Sequence, residues 1–209
     1  VRLSCEDSSF IIFAGSLPPG CPADLYYRLI TLANERGART ILDASGDALR
    51  EGLKARPFLV KPNLQELEAL FGTRLERDSE IIDAAREIVR SGVEIVVVSM
   101  GSDGAIAVAG GLSAGDSAAG RPAAGSSAVG VRTWRVFPPE VQVGNTVGAG
   151  DAMVAGFAAS LAQGDDVAAA LEFAVAAGSA AAADPGTGQY SVELIRRLQS
   201  EVVLTQMSL

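Results

Sequence analysis

Val143-Gly144-Asn145-Thr146-Val147-Gly148-Ala149-Gly150-Asp151-Ala152-Met153-Val154-Ala155-Gly156-Phe157 is the stretch around which the chain is organised. The small residues Gly148, Ala149 and Gly150 let the backbone turn tightly, and the Ala-rich residues 151–162 read as a helix that begins at that turn. A helix start points free N–H groups and the positive end of the dipole at whatever lies in front of it, which makes an anion site. Here a carboxylate, Asp151, stands inside the anion site. A bound phosphate would repel it unless it acts as a general base, taking a proton from a hydroxyl while the amides stabilise a transferring phosphoryl group. Taken by itself, Gly-Ala-Gly-Asp is equally a turn followed by a cap.

Outward from this stretch, strand and helix patterns alternate. Upstream, Val131 to Val136 has strand character, and Pro138-Pro139 leads on toward the turn. Downstream, residues 166–183 and 191–203 read as two helices joined by Asp184-Pro185-Gly186-Thr187-Gly188. Near the start, Phe10-Ile11-Ile12-Phe13-Ala14 has the pattern of a buried parallel strand. It meets the turn Gly15-Ser16-Leu17-Pro18-Pro19-Gly20, and residues 22–36 follow as a helix with Leu25, Leu29 and Leu32 on one face. Thr40-Ile41-Leu42-Asp43 is the next strand, and Asp43 closes it at the carboxyl end, where parallel sheets bind ligands.

Phe58-Leu59-Val60-Lys61 is a further strand, and Pro62-Asn63 opens a helix that carries Leu64, Leu67 and Leu70 and ends at Gly72. Residues 79–91 form another helix. The most hydrophobic strand, Glu94-Ile95-Val96-Val97-Val98-Ser99, leads through Met100-Gly101-Ser102-Asp103-Gly104 into Ala105-Ile106-Ala107-Val108. The expected class is α/β, with a mainly parallel sheet between helical layers. Residues 109–130, rich in Gly, Ala and Ser, read as a flexible insertion joining two strands.

With 209 residues the chain is long enough for one large core, and 48% hydrophobic residues speak for a folded protein. A net charge of −8 argues against nucleic acid or an anionic membrane surface as the general partner. The chain has no His, which removes Ser-His-Asp and Cys-His catalysis and the His-based zinc motifs. Cys5 and Cys21, far apart in sequence, read as reduced thiols of a cytoplasmic protein. No apolar run reaches transmembrane length, and the first residues lack signal-peptide form. There is no Gly-x-x-x-x-Gly-Lys-Ser/Thr loop, and Gly148-Ala149-Gly150 lacks the third Gly of a dinucleotide fingerprint.

The full string from Asn145 to Phe157 resembles the C-terminal signature of the phosphofructokinase B family of carbohydrate kinases, relatives of ribokinase. The resemblance implies a ribokinase-like three-layer α/β/α fold. It matches Asp151 to the family's catalytic base and Gly148, Ala149 and Gly150 to its anion hole. Lys61-Pro62-Asn63-Leu64-Gln65-Glu66 resembles the family's Asn-x-x-Glu motif, which acts around magnesium and the ATP phosphates. It implies ATP contacts at Lys61 and Asn63 and a magnesium environment of Asn63, Glu66 and Asp43, reached through water or phosphate. Read from the residues alone, Asn63 and Glu66 are also a capping box. Gln65 departs from the pattern where some sugar-phosphate kinases carry a nucleotide-contacting lysine.

Ser99, Gly101 and Gly104 resemble the family's Gly turn beside the nucleotide, and Gly178 and Ser179 lie on the helix that borders adenine in the family. Asn145, Val147, Ala181, Asp184 and Gly186 match segments that hold a monovalent cation, potassium, in several members. Gly188 departs from the Arg or Leu common there. Gly15-Ser16-Leu17-Pro18-Pro19-Gly20 and Asp43-Ala44-Ser45-Gly46 are most similar to the branch that phosphorylates ketohexose phosphates: fructose 1-phosphate, fructose 6-phosphate or tagatose 6-phosphate. Ser16 is matched to the substrate side.

The resemblance covers the C-terminal two-thirds of a family domain, so the first strands, the small β-sheet lid and the first sugar-binding signature are expected to be lacking. Two readings stand side by side: an ATP-dependent sugar-phosphate kinase, working as a homodimer in family fashion, and a catalytically impaired nucleotide-binding fragment or scaffold without a sugar site.

Overall fold

The computed structural model describes residues 10–110, 130–186, 188 and 190–208. Most of the insertion expected over residues 109–130 lies outside the described residues. Among the described residues, seven strands form one sheet in sequence order: β1 (Phe10–Ala14), β2 (Arg39–Asp43), β3 (Leu59–Val60), β4 (Ile95–Ser99), β5 (Ala105–Ala109), β6 (Arg132–Phe137) and β7 (Val203–Met207). The helices between them are α1 (Leu25–Glu35), α2 (Gly46–Leu53), α3 (Leu64–Phe71), α4 (Asp78–Arg90), α5 (Ala149–Ala162), α6 (Val167–Ala183) and α7 (Val192–Gln199).

The first four strands run parallel, each reached through a helical crossover. From there the pairing changes hand. Ser99 pairs with Ala105, so five residues separate β4 from β5, too few for a parallel crossover, and β5 turns back antiparallel. β6 is antiparallel to β5, and β7 to β6. The sheet is therefore mixed, with β1 to β4 and β6 pointing one way.

Successive side chains of a strand face opposite sides, and the two faces carry separate cores. One gathers Leu42, Val60, Val96, Val98 and Ile106 under Ile30, Leu49, Leu67, Ile82 and Ile88 of α1 to α4. The other gathers Ile41, Leu59, Ile95, Val97, Trp134 and Val136 under Phe157, Leu161, Leu171 and Ala174 of α5 and α6. α5 and α6 approach closely because their shared face is Ala and Gly: a Cβ on Gly156 would stand 3.0 Å from the Ala177 Cβ. α7 packs on α6 through Ile195 and Leu198 rather than on the sheet.

Two elements differ from the expectation. The helix expected over residues 191–203 ends at Gln199, and Val203 to Met207 form β7, with Val203 opposite Phe137 and Thr205 opposite Arg135. The run Val202-Val203-Leu204-Thr205 suits a strand better than a last helical turn, and β6 offers it a free edge. α2 was not expected. Its eight residues bury Leu49 and Gly52, the latter so close to Leu42 that a Cβ would stand 2.7 Å from the Leu42 Cδ2.

Candidate active site

The parallel strands and β6 all end at one edge of the sheet, which gathers the residues singled out from the sequence. Gly15 donates its N–H to Asp43 O at 2.9 Å, Lys61 N–H to Leu42 O at 3.0 Å, and Ser99 N–H to Pro62 O at 3.0 Å. Asn63 forms a single parallel bridge to Ser99. Ser16, Asp43, Lys61, Asn63 and Ser99 thus follow one another along this edge.

The helix α5 begins here. Gly148 caps it with φ +84° and ψ −4°, a left-handed conformation that Gly adopts without strain. The N–H of Ala149 is taken by Thr146 O at 3.2 Å, and the first helical bond runs from Ala152 N–H to Gly148 O at 2.9 Å. The N–H groups of Gly150 and Asp151 have no acceptor among the described residues. Asp151 stands on this first turn, exposed, and its carboxylate accepts no hydrogen bond and joins no ion pair among the described residues. Two free amide donors and one uncommitted carboxylate therefore share a single helical turn.

Behind that turn lies a charge pair. Lys61 Nζ is 3.2 Å from Asp43 Oδ1, with the side chains 7% and 15% exposed. The ammonium reaches the floor of the turn: a Cβ on Gly150 would stand 3.6 Å from it. Burial pushes the Asp43 carboxyl above its ordinary range, Lys61 draws it back, and the nearby Asp151 charge pushes it up again. Lys61 and Asp43 were singled out separately. The signal for their pairing was a Lys closing a wholly apolar strand, which demands a buried counter-charge.

Asn63 and Glu66 form a capping box on α3: Glu66 N–H donates to Asn63 Oδ1 and Asn63 N–H to Glu66 Oε2, both at 2.8 Å. Glu66 Oε1 has no hydrogen-bond partner among the described residues. Among the described residues no three His, Cys, Asp or Glu side chains converge to hold a metal ion. The donor set of Asn63, Glu66 and Asp43 fits a magnesium ion carried chiefly by nucleotide phosphates and water, not one caged by protein. The turn after β4 is a single 3-10 turn, Gly101–Asp103, closed by Met100 N–H to Gly104 O at 2.8 Å.

The end of α6 is laced to the approach of α5. Gly144 and Asn145 both donate N–H to Ala182 O, at 2.8 and 3.1 Å. The Asn145 amide donates to Gly186 O at 3.3 Å and its oxygen accepts from Val147 N–H at 3.0 Å, while Gly186 N–H donates to Asp184 Oδ1 at 3.0 Å. Asn145, Val147, Asp184 and Gly186 therefore adjoin one another, with Ala181 buried in the last turns of α6. Gly178 packs on the start of α5, where a Cβ would stand 3.2 Å from Ala149 O. The Ser179 hydroxyl donates to Val175 O at 2.9 Å and is committed to its own helix.

One supporting residue escaped the sequence. The Tyr26 hydroxyl faces Ala14 O and Gly15 O at 2.9 and 3.0 Å, fixing the point where β1 gives way to the Ser16 turn. In Tyr26-Tyr27 nothing separates the buried ring from the exposed one except helical phase.

Residues 1–193 match the model of the pfkB family carbohydrate kinases. The chain is 38% identical over 187 residues to the ATP-dependent 6-phosphofructokinase isozyme 2 of Escherichia coli K12, covering 88% of this chain and 54% of that one. It is 31% identical over 204 residues to the 1-phosphofructokinase of Bacillus subtilis 168, covering 98% and 60%. The crystal structure of the Escherichia coli phosphofructokinase-2 in complex with potassium superposes with a TM-score of 0.78 at 35% identity, over 92% of this chain and 57% of that one. The chain thus spans little more than half the length of these relatives. With the ribokinase-like α/β sheet and the Gly-Ala-Gly-Asp turn at its carboxyl edge, the match over residues 1–193 means that the chain belongs to the pfkB family of carbohydrate kinases.

Proposed function

We propose that the protein transfers the terminal phosphoryl group of ATP to a hydroxyl of a ketohexose phosphate: fructose 1-phosphate, fructose 6-phosphate or tagatose 6-phosphate. The observation that carries this reading is the first turn of α5, where the Gly150 and Asp151 amides and the Asp151 carboxylate stand uncommitted together. Asp151 takes the proton of the acceptor hydroxyl as the oxygen attacks phosphorus. The turn from Gly148 to Gly150 is the anion hole: its Gly150 N–H, with that of Asp151, is free for the equatorial oxygens, where negative charge gathers, while the Ala149 N–H is held by Thr146 O. Lys61, held by Asp43, adds a fixed positive charge on the ATP side of the same turn.

Asn63, the turn from Ser99 to Gly104, and Gly178 with Ser179 supply the nucleotide side. Ser16 stands on the sugar side. Asn63, Glu66 and Asp43 would face a magnesium ion through water or phosphate, and the ion would supply positive charge against the ATP phosphates. Asn145, Val147, Ala181, Asp184 and Gly186, on the loops laced together at the approach to α5, would hold a potassium ion. We further propose that the protein acts in the cytoplasm, as a homodimer.

A coupled ADP-release assay over the three sugar phosphates in potassium buffer tests the reading. Turnover with one of them supports it. Binding of Mg-ATP with no turnover on any would favour the nucleotide-binding fragment or scaffold instead. Equal activity in potassium and in a tetraalkylammonium buffer would remove the cation from the account.

A further inference from the structure

Arg135 joins a carboxylate, three backbone carbonyls and an aromatic ring, and the mechanism above does not use it. It stands on β6 opposite Ile106 of β5, on the face covered by α4, and its side chain is 12% exposed. Its Nε donates to Asp78 Oδ2 at 2.9 Å, at the first residue of α4. Its Nη1 donates to Asp103 O at 2.7 Å and to Val136 O at 3.1 Å, with Ala105 O at 3.4 Å. The guanidinium lies over the Phe137 ring, 4.3 Å from its centroid.

Asp103 is the last residue of the 3-10 turn that follows β4. Within the turn, Asp103 N–H donates to Met100 O and Gly104 N–H to Gly101 O, both at 3.1 Å. The remaining carbonyl at its end, that of Asp103, is held from outside by Arg135. Gly104 then presses on β6, since a Cβ there would fall inside the van der Waals shell of Val136 O. The backbone of the turn is thus clamped between β6 and the start of α4 through one planar fork.

We propose that Arg135 is the positioning residue of the nucleotide turn, holding Gly101 to Gly104 in the one backbone form that meets ATP. This rests on reading that turn as a nucleotide contact. A Lys cannot replace the fork: its single ammonium reaches the Asp78 carboxylate or the Asp103 carbonyl, not both in one plane with a stacked ring. When the clamp is lost, the turn samples other forms, and ATP affinity falls by the fraction of time spent in them.

The test is titration of Mg-ATP into wild type, Arg135→Lys and Asp78→Asn, with melting curves for each. Arg135→Lys is expected to weaken Mg-ATP binding about tenfold, while Asp78→Asn, which leaves the carbonyl contacts in place, changes it less than about threefold. In the active kinase the KM for ATP rises in Arg135→Lys and the KM for the sugar phosphate stays, a split that general loss of stability does not produce. Amide exchange at Gly104 is expected to quicken in Arg135→Lys while that of Val97 in β4 stays slow. If Arg135→Lys does not fold, Phe137→Leu, which removes only the stacked ring, reports on the same clamp with a weaker effect of the same selectivity. A cooperatively folded Arg135→Lys with wild-type affinity for Mg-ATP, or equal rises in both KM values, would overturn the proposal. A wild-type protein that does not bind Mg-ATP would overturn the nucleotide reading beneath it.

Discussion

Replacing Lys61 by Met takes one charge from a pair whose members are 3.2 Å apart and 7% and 15% exposed. At an effective dielectric of about 20, unit charges at that distance attract by roughly 5 kcal/mol. Much of that gain offsets the water both groups lost, so the measured cost is set by the charge left behind. For one partner removed from a buried pair it is about 3–5 kcal/mol. Asp43 would be stranded with Asp151 nearby, and its carboxyl, already raised by burial, would rise further. A carboxyl whose folded pKa exceeds its unfolded one binds more protons when folded, so stability falls as pH rises between the two values. The cost of Lys61→Met is therefore greatest above the folded pKa of Asp43 and shrinks on acidification toward its ordinary value of 3.8.

Adding Asp43→Asn removes the stranded charge, so the double variant should recover most of the stability, with a coupling of about 2–3 kcal/mol. Urea unfolding of the four proteins at neutral and mildly acidic pH, with slopes compared, measures this. A loss below about 1 kcal/mol for Lys61→Met, additive effects, or a cost that grows on acidification would refute the reasoning.

Gly104→Ala should cost about 3 kcal/mol or more in thermal unfolding, because φ +83° and ψ −132° suit Gly and the new Cβ meets Val136 O; a loss under about 1 kcal/mol would contradict it. Asp166→Ala should cost about 1 kcal/mol, since its carboxylate caps α6 by accepting from Ala169 N–H at 2.9 Å; unchanged stability would show that the cap is idle. Tyr26→Phe should cost about 1–2 kcal/mol by leaving the Ala14 and Gly15 carbonyls without their donor, and equal urea midpoints would refute that.

The architecture was legible where period and punctuation agreed. Val96, Val97 and Val98 have no polar partner in sequence and so mark a strand buried on both faces, and Asn63 with Glu66 announced the start of α3 as a capping box. β7 was not legible, because its exposed Val203, Thr205 and Gln206 make sense only once β6 is there to pair with. α2 escaped for a similar reason: Gly46 and Gly52 in eight residues weaken the helical signal, and the close approach of Leu42 that requires Gly52 is a tertiary fact. At the candidate site, the residue types near Gly148 and Asp151 could be read in order. Their partners could not: the contacts of Lys61 with Asp43, and of Arg135 with Asp103, join residues far apart in sequence.

The proposed role of Asp151 as general base is tested most directly by Asp151→Asn, with turnover and Mg-ATP affinity measured on the same preparation. The account predicts a fall in kcat of about a hundredfold to ten-thousandfold with ATP affinity preserved. Turnover comparable to wild type, or a loss explained wholly by failure to bind ATP, would contradict it.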